Sequence, residues 1–298
     1  MNRVLNFSLP GIVLLLAFGS NLNNFVFGHT FSGDESASFL TKVEMMKIES
    51  QLAQKQLSSN VTVAKEHAEH LTEHITTNDT KEITERNPRL ATELNDTLTD
   101  FIKTFESGSP SQSEVKDKVS NISDVLSEVL SARIDKEQLN NVTVKALVLN
   151  DLVSEGLEHY NSSLGMDSQD ENNTSISNST EKDKNETTNK VDEADYQSSQ
   201  AAVLLAIDIY NVIKPNSNAN STDLADSLSS LKGKIDNKSP FDEIDKIVDE
   251  KITPLLNDIF KLGLVQEEGD HHGEGEVHGG EPSHDSSKNE TQGTDVKG

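Results

Sequence analysis

Residues 111–130 read SQSEVKDKVSNISDVLSEVL, and this stretch indicates the fold class. Its apolar side chains recur at offsets of three and four, at Val115, Val119, Ile122, Leu126 and Val129. Such spacing places them on one face of an α-helix, which must be buried against neighbours. Ser111 followed by Glu114 is a capping box that starts the helix. The stretch therefore predicts an amphipathic helix that packs on other helices.

The same period recurs along most of the chain, and strict alternation is absent. The predicted helices cover residues 34–57, 60–75, 88–105, 111–129, 142–160, 192–213, 224–235 and 241–259. Asp79 with Glu82 predicts the capping pair of a further short helical turn, and Pro254 predicts a kink. Short connections favour antiparallel neighbours. We expect an all-α antiparallel bundle of about eight helices.

The composition divides the chain into five parts. Residues 1–28 are predicted to be a signal peptide, 29–160 an N-terminal helical bundle and 192–264 a C-terminal three-helix segment. Residues 161–191 are acidic and almost without apolar side chains, which predicts a disordered linker. Residues 265–298 are rich in Gly, His and acidic residues and predict a disordered tail.

The N-terminus predicts export from the cytoplasm. Arg3 precedes a short apolar run at residues 11–18, and Val26 and Gly28 occupy the −3 and −1 positions of a cleavage site. Cleavage would leave His29 as the first residue and no stable membrane span. A retained signal anchor is the alternative.

Sites for N-glycosylation agree with export. The Asn-x-Ser/Thr tripeptide is common by chance, but thirteen instances after residue 28 exceed what the Ser and Thr content explains. These sites are Asn60, Asn78, Asn95, Asn121, Asn141, Asn161, Asn172, Asn173, Asn178, Asn185, Asn220, Asn237 and Asn289. We expect N-glycans on the exported protein.

Charge and cysteine content exclude some functions. The formal net charge is −25 at pH 7, which argues against nucleic acid and anionic membranes as partners. No cysteine is present, so neither disulfides nor thiolate chemistry contributes. No nucleophile–base order or phosphate-binding loop is visible, and we expect no enzymatic activity.

Three histidines form the sharpest local feature, at His67, His70 and His74. On a helix they form a stripe at the boundary between the apolar face and solvent, and neighbours three or four apart can chelate one ion. Imidazole with carboxylate suits Zn²⁺, Cu²⁺, Ni²⁺ or iron. In the His-Glu-x-x-His motif of zinc proteases a catalytic glutamate follows the first histidine, but here Leu71 follows His70, which argues against a protease. A complete metal site needs a ligand from another helix, such as His159 or an acid. The alternative is a stripe that only decorates a solvated flank.

Two further candidates lie near the chain ends. The tail carries His271, His272 and His278, which can bind transition metals without defined geometry, or merely solubilise the end. After cleavage, the α-amine and imidazole of His29 would offer two ligands for copper.

Three segments carry a resemblance to a known group: residues 29–40 (HTFSGDESASFL), 81–87 (KEITERN) and 195–201 (DYQSSQA). Together they resemble exported helical proteins of unknown function from ammonia-oxidising archaea, over most of residues 29–263. The resemblance implies a cell-surface or pseudoperiplasmic location and archaeal N-glycosylation, and it assigns no catalytic residue.

These observations predict an exported, N-glycosylated helical-bundle protein that binds or buffers a divalent transition metal outside the cell. The alternative is a structural or interaction protein of the archaeal cell envelope, with a protein partner there and no metal role.

Overall fold

The computed structural model describes residues 33–106, 108, 110–165, 191–214 and 219–264. Over these residues the secondary structure is helical and contains no strand, so the all-α prediction is confirmed. The described residues belong to one compact unit that reaches Leu264. The predicted signal peptide, His29, most of the linker and the tail with His271, His272 and His278 lie outside the described residues.

The helices are α1 (Gly33–Gln56), α2 (Val61–His70), α3 (Thr77–Arg86), α4 (Pro88–Glu106), α5 (Gln112–Arg133), α6 (Lys136–Asn140), α7 (Val142–Ser163), α8 (Glu193–Ile213), α9 (Ala219–Asp236), α10 (Phe241–Ile247) and α11 (Thr253–Phe260). A π-helical turn, Val248–Ile252, joins α10 to α11. None of them combines the length and apolar composition needed to cross a bilayer.

Local sequence explains most of the helix starts. The Ser111 side chain accepts a hydrogen bond from the Glu114 backbone N–H, as the capping prediction requires. Asn60 caps α2 in the same way, through the Val63 backbone N–H. The capping pair predicted at Asp79 was wrong, because Thr76 is the N-cap of α3 and Asp79 is its reciprocal partner.

Two structural details differ from the periodic pattern. Helix α2 ends at His70 and residues 71–74 form a turn, so the predicted helix to Ile75 is too long. Near Pro254 the helix widens into the π-helical turn that precedes α11. Because proline has no N–H to donate, this local widening accommodates it within a nearly continuous helical segment.

Helix α1 is the centre of the fold. It packs against α2, α5 and α6, and also against α7 and α8. Phe39, Val43 and Met46 face one apolar core with α2–α6, whereas Met45, Ile48 and Leu52 face another, with α7–α11. Because helices cover α1 on both sides, polar groups on it can be buried as well as apolar ones.

Helices α7 and α8, which flank the linker in the chain, form the most extensive helix pair. Gly156 of α7 permits the close approach, because a Cβ atom there would lie 2.7 Å from Val203 Cγ2. The Ser199 hydroxyl donates a 2.6 Å hydrogen bond to the Gly156 carbonyl oxygen. This close packing brings the start of α8 beside α1 and α2.

Candidate metal centre

Four helices contribute to a cluster of histidines and acids between the two cores. Glu49 comes from α1, His67 and His70 from α2, His74 from the turn after α2, and His159 from α7. Asp195 and Gln197 of α8 contact the cluster from one side. The structure therefore brings all three predicted helix histidines together with His159, the partner considered from the sequence.

Glu49 is the acid at the centre of the cluster, and its side chain has no solvent exposure. Its neighbours three and four positions away on α1 are apolar: Met45, Met46, Leu52 and Ala53. A carboxylate in the middle of an apolar helix face is costly unless it is partnered. That arrangement was visible in the sequence, but Glu49 was not recognised as a candidate.

His67 is the innermost histidine, with no exposed side-chain area. Its Nδ1 lies 2.7 Å from Glu49 Oε2, and its Nε2 lies 3.2 Å from Gln197 Oε1. The prediction that His67 sits at the boundary between core and solvent was wrong. The reason is that α8 packs across this flank of α2, which the period of α2 alone cannot show.

His70 and His74 lie closer to the surface. His70 Nδ1 is 3.7 Å from Glu49 Oε2, beyond hydrogen-bond distance, and 17% of its side chain is exposed. The His159 ring is near both, with centroid separations of 6.1 Å to His70 and 5.9 Å to His74. Ending α2 at His70 lets the chain turn, which brings His74 toward α7.

Three buried polar atoms of this cluster have no hydrogen-bond partner among the described residues. They are Glu49 Oε1, His70 Nδ1 and His74 Nε2. An unsatisfied buried polar group costs about 1–3 kcal/mol, and folded proteins contain few of them. Three in one cluster of metal-ligating residue types therefore require a physical explanation.

The environment shifts the pKa values of the acid and the histidines of the cluster in different directions. Burial alone would raise the pKa of Glu49, but hydrogen bonding to His67 and the nearby His70 ring hold it well below its usual range. Burial also opposes charge on His70, yet the Glu49 carboxylate raises the pKa of His70 to about 9. Burial lowers the pKa of His74 to about 4. At neutral pH the metal-free cluster therefore holds the Glu49 carboxylate, a protonated His70 beside it and a neutral His74.

His159 is held by a carboxylate of its own. Its Nδ1 lies 2.9 Å from Asp195 Oδ1, and 12% of its side chain is exposed. Burial lowers the pKa of His159, but the bond to Asp195 and the charge of Glu49 outweigh it, so the pKa is raised. With Nδ1 engaged, Nε2 is the nitrogen left for another ligand.

Two overlapping triads have ligand atoms within 4.8 Å of one another: Glu49, His67 and His70, and Glu49, His74 and His159. Ligand atoms on one tetrahedral ion lie about 3.3 Å apart, as bond lengths near 2.0–2.1 Å require. Small side-chain rotations would bring ligand atoms this close to such separations. The residue types and their spacing thus fit a transition-metal ion.

Comparisons with known proteins give no assignment for this chain. No family model, no curated protein and no solved structure matches it.

Proposed function

We propose that this chain is an exported, N-glycosylated helical-bundle protein that binds a divalent transition-metal ion outside the cell. The ion would lie among Glu49, His74 and His159, whose ligand atoms lie within 4.8 Å of one another, and a side-chain rotation would bring His70 to it as the fourth ligand. The observation that carries this proposal is that one cluster contains three buried atoms without a hydrogen-bond partner among the described residues, on Glu49, His70 and His74. Coordination of an ion would satisfy all three together.

The donor types favour some ions over others. Three imidazoles with one carboxylate suit Zn²⁺, Cu²⁺, Ni²⁺ or Fe²⁺, whereas Ca²⁺ and Mg²⁺ prefer oxygen ligands. The acidic protein would also raise the local concentration of cations. We propose no reaction at this centre: its working role is to bind, buffer or present the ion.

The N-terminal sequence, the resemblance and the glycosylation tripeptides support the proposed location. The apolar run at residues 11–18 favours export, and the resemblance to exported archaeal proteins favours a cell-surface or pseudoperiplasmic setting. Eight of the thirteen glycosylation tripeptides lie in the described residues, and none of their asparagines is buried. Asn60 and Asn141 cap helices through Oδ1, which leaves Nδ2 for a sugar. Sequencing the N-terminus and measuring the intact mass of the native protein test these proposals.

Calorimetric titration of the metal-free full chain with Zn²⁺ and Cu²⁺ tests the metal role. The background variant replaces the tail histidines with alanine, so that weak tail binding does not mask the helical site; these are His271, His272, His278 and His284. Saturable binding in this background that is lost in His70→Ala/His74→Ala supports the proposal. Equal binding by both proteins contradicts it and favours a structural or interaction role in the cell envelope.

A further inference from the structure

Both ring nitrogens of His67 face oxygen atoms of other side chains. Nδ1 is 2.7 Å from Glu49 Oε2, and Nε2 faces Gln197 Oε1, which also accepts a 2.6 Å hydrogen bond from Gln56 Nε2. Two ligand atoms on one ion, each about 2.0–2.1 Å from it, lie nearly 3 Å apart or more. The shorter separation of His67 and Glu49 is that of a hydrogen bond. His67 therefore orients Glu49 and does not share an ion with it.

His67 contacts only one of the two carboxylate oxygens of Glu49. Oε2 faces His67 at 2.7 Å and His70 at 3.7 Å, while Oε1 is buried without a hydrogen-bond partner at normal distance among the described residues, although the Ser198 side chain also lowers the pKa of Glu49. A carboxylate fixed through one oxygen presents the other in a defined direction. This is the usual relation between a ligand and the group behind it.

Asp195 orients His159 in the same way, through a contact with one of its two ring nitrogens. A metal-binding histidine commonly gives its other ring N–H to a carboxylate, which fixes the tautomer and makes the ligating nitrogen more basic. The 2.9 Å contact from His159 Nδ1 to Asp195 Oδ1 has this form. It assigns Nε2 of His159 to the ion.

His74 differs from Glu49 and His159 because no side chain among the described residues forms a hydrogen bond with its Nε2. It follows the end of α2 in a turn made by two backbone hydrogen bonds, Thr72 N–H to the Glu69 carbonyl and Glu73 N–H to the His70 carbonyl. Its Nε2 is buried and unpartnered among the described residues. It is the ligand on the outer side, whereas Glu49 is on the inner side.

We propose that the cluster is a one-ion site in which Glu49, His70, His74 and His159 are the ligands, and His67 and Asp195 are positioning residues. This inference rests on the proposed function and deepens it. It refines the ligand set expected from the sequence, because His67 leaves that set, and both His159 and an acid, Glu49, complete it.

The charges in the site agree with a divalent ion. With the ligating imidazoles of His70, His74 and His159 neutral, the ion's two positive charges are matched by the carboxylates of Glu49 and Asp195. A second divalent ion beside His67 would have no carboxylate of its own, since it would share Glu49 in a region without solvent exposure. Uncompensated buried charge is strongly unfavourable.

Cobalt(II) is the probe for the ligand set, because its visible bands report coordination geometry and its titration reports stoichiometry. The protein is the full chain with the four tail histidines replaced by alanine. We expect one Co²⁺ per chain, displaced by Zn²⁺. Two equivalent Co²⁺ ions per chain would overturn the one-ion inference while leaving metal binding itself established.

Matched variants separate ligands from positioning residues. His67→Gln and Asp195→Asn should keep the wild-type Co²⁺ bands and weaken binding about 10- to 100-fold. Glu49→Gln and His159→Ala should lose or change the bands. Loss of the bands in His67→Gln would make His67 a ligand and overturn the assignment.

Circular dichroism spectra serve as the control that each variant is folded. If His67→Gln does not fold, Asp195→Asn decides, because Asp195 is partly exposed and its amide replacement is mild. Unchanged affinity in folded Asp195→Asn overturns its positioning role. Failure of the unsubstituted helical site to bind any Co²⁺ or Zn²⁺ would instead refute the proposed function.

Discussion

His74→Leu gives a sharp test of the metal-site reasoning, because it separates a ligand from a structural residue. In the metal-free protein, His74 Nε2 is buried without a partner among the described residues. Leucine has similar bulk and no polar atom to leave unsatisfied, so the substitution removes a cost of about 1–3 kcal/mol. We expect metal-free His74→Leu to be more stable than wild type by up to about that amount.

The pH dependence of this difference follows from the pKa of His74, which burial lowers from 6.5 to about 4. Since the unfolded chain binds the proton more tightly, wild-type stability is fully present above pH 6.5 and is lost as the pH falls toward 4. At pH 5 the loss is about 2 kcal/mol, and at pH 7 it is small. The stability advantage of His74→Leu should therefore grow by about 2 kcal/mol between pH 7 and pH 5.

Metal should reverse the order of stability. Free Zn²⁺ at 100 times its Kd stabilises a folded protein by about 2.7 kcal/mol. Wild type should gain this stability, and His74→Leu should gain much less of it. The assay is urea unfolding after treatment with a chelator, at pH 5 and 7 without metal and at pH 7 with Zn²⁺, in the variant background without tail histidines.

The matched control is His70→Leu, because the two histidines differ in how Glu49 acts on them. Glu49 raises the pKa of His70 to about 9 against the effect of burial, so His70 contributes stability below pH 6.5 that is lost as the pH rises to 9. At pH 7 the metal-free His70→Leu protein should lose roughly 2–3 kcal/mol. A metal-free His74→Leu that is as destabilised as His70→Leu would refute the reasoning, and so would equal stabilisation of wild type and His74→Leu by Zn²⁺.

Three further outcomes are expected elsewhere in the chain and across pH. Gly156→Ala should lose about 1–2 kcal/mol in urea unfolding, because the new methyl would press on Val203 and overpacking outweighs the gain in helix propensity; no loss would mean that α7 and α8 adjust freely. Asp79→Asn should cost about 3 kcal/mol, because Arg133 is buried and its Nη1 lies 2.7 Å from Asp79 Oδ1; stability within 1 kcal/mol of wild type would contradict this. The Zn²⁺ affinity should rise by up to about tenfold per pH unit from 6.5 toward 9, because His70 must release its proton to bind the ion. Calorimetry in buffers of different ionisation enthalpy counts the protons released on binding. An affinity that does not change with pH would exclude His70 as a ligand.

Local chemistry made much of the fold predictable. The three-and-four spacing in residues 111–130 needs no tertiary information, because a helix places those side chains on one face. The caps at Asn60 and Ser111 are equally local, since a side chain satisfies a backbone N–H two or three residues away. The end of α2 was less predictable, because a periodic pattern continues to Ile75 although the helix stops at His70.

The candidate site was only half predictable. His67, His70 and His74 are conspicuous because they recur on one stretch of chain, and His159 was considered as a distant partner. Glu49 is one of 51 acidic residues, and its apolar neighbours on α1 were the one signal that distinguished it. Nothing in the spacing of the α2 histidines shows which of them faces a carboxylate.

The sequence by itself determined that the described chain is helical, where most helices begin and that three histidines lie close together on one segment. Only the tertiary structure decided what those histidines do. Helix α8, distant in the chain, packs against α1, α2 and α7, buries His67 behind Glu49 and places Asp195 behind His159. The physical reason is that a helix period fixes directions around one axis, whereas burial and hydrogen-bond partners depend on which other helix covers each direction.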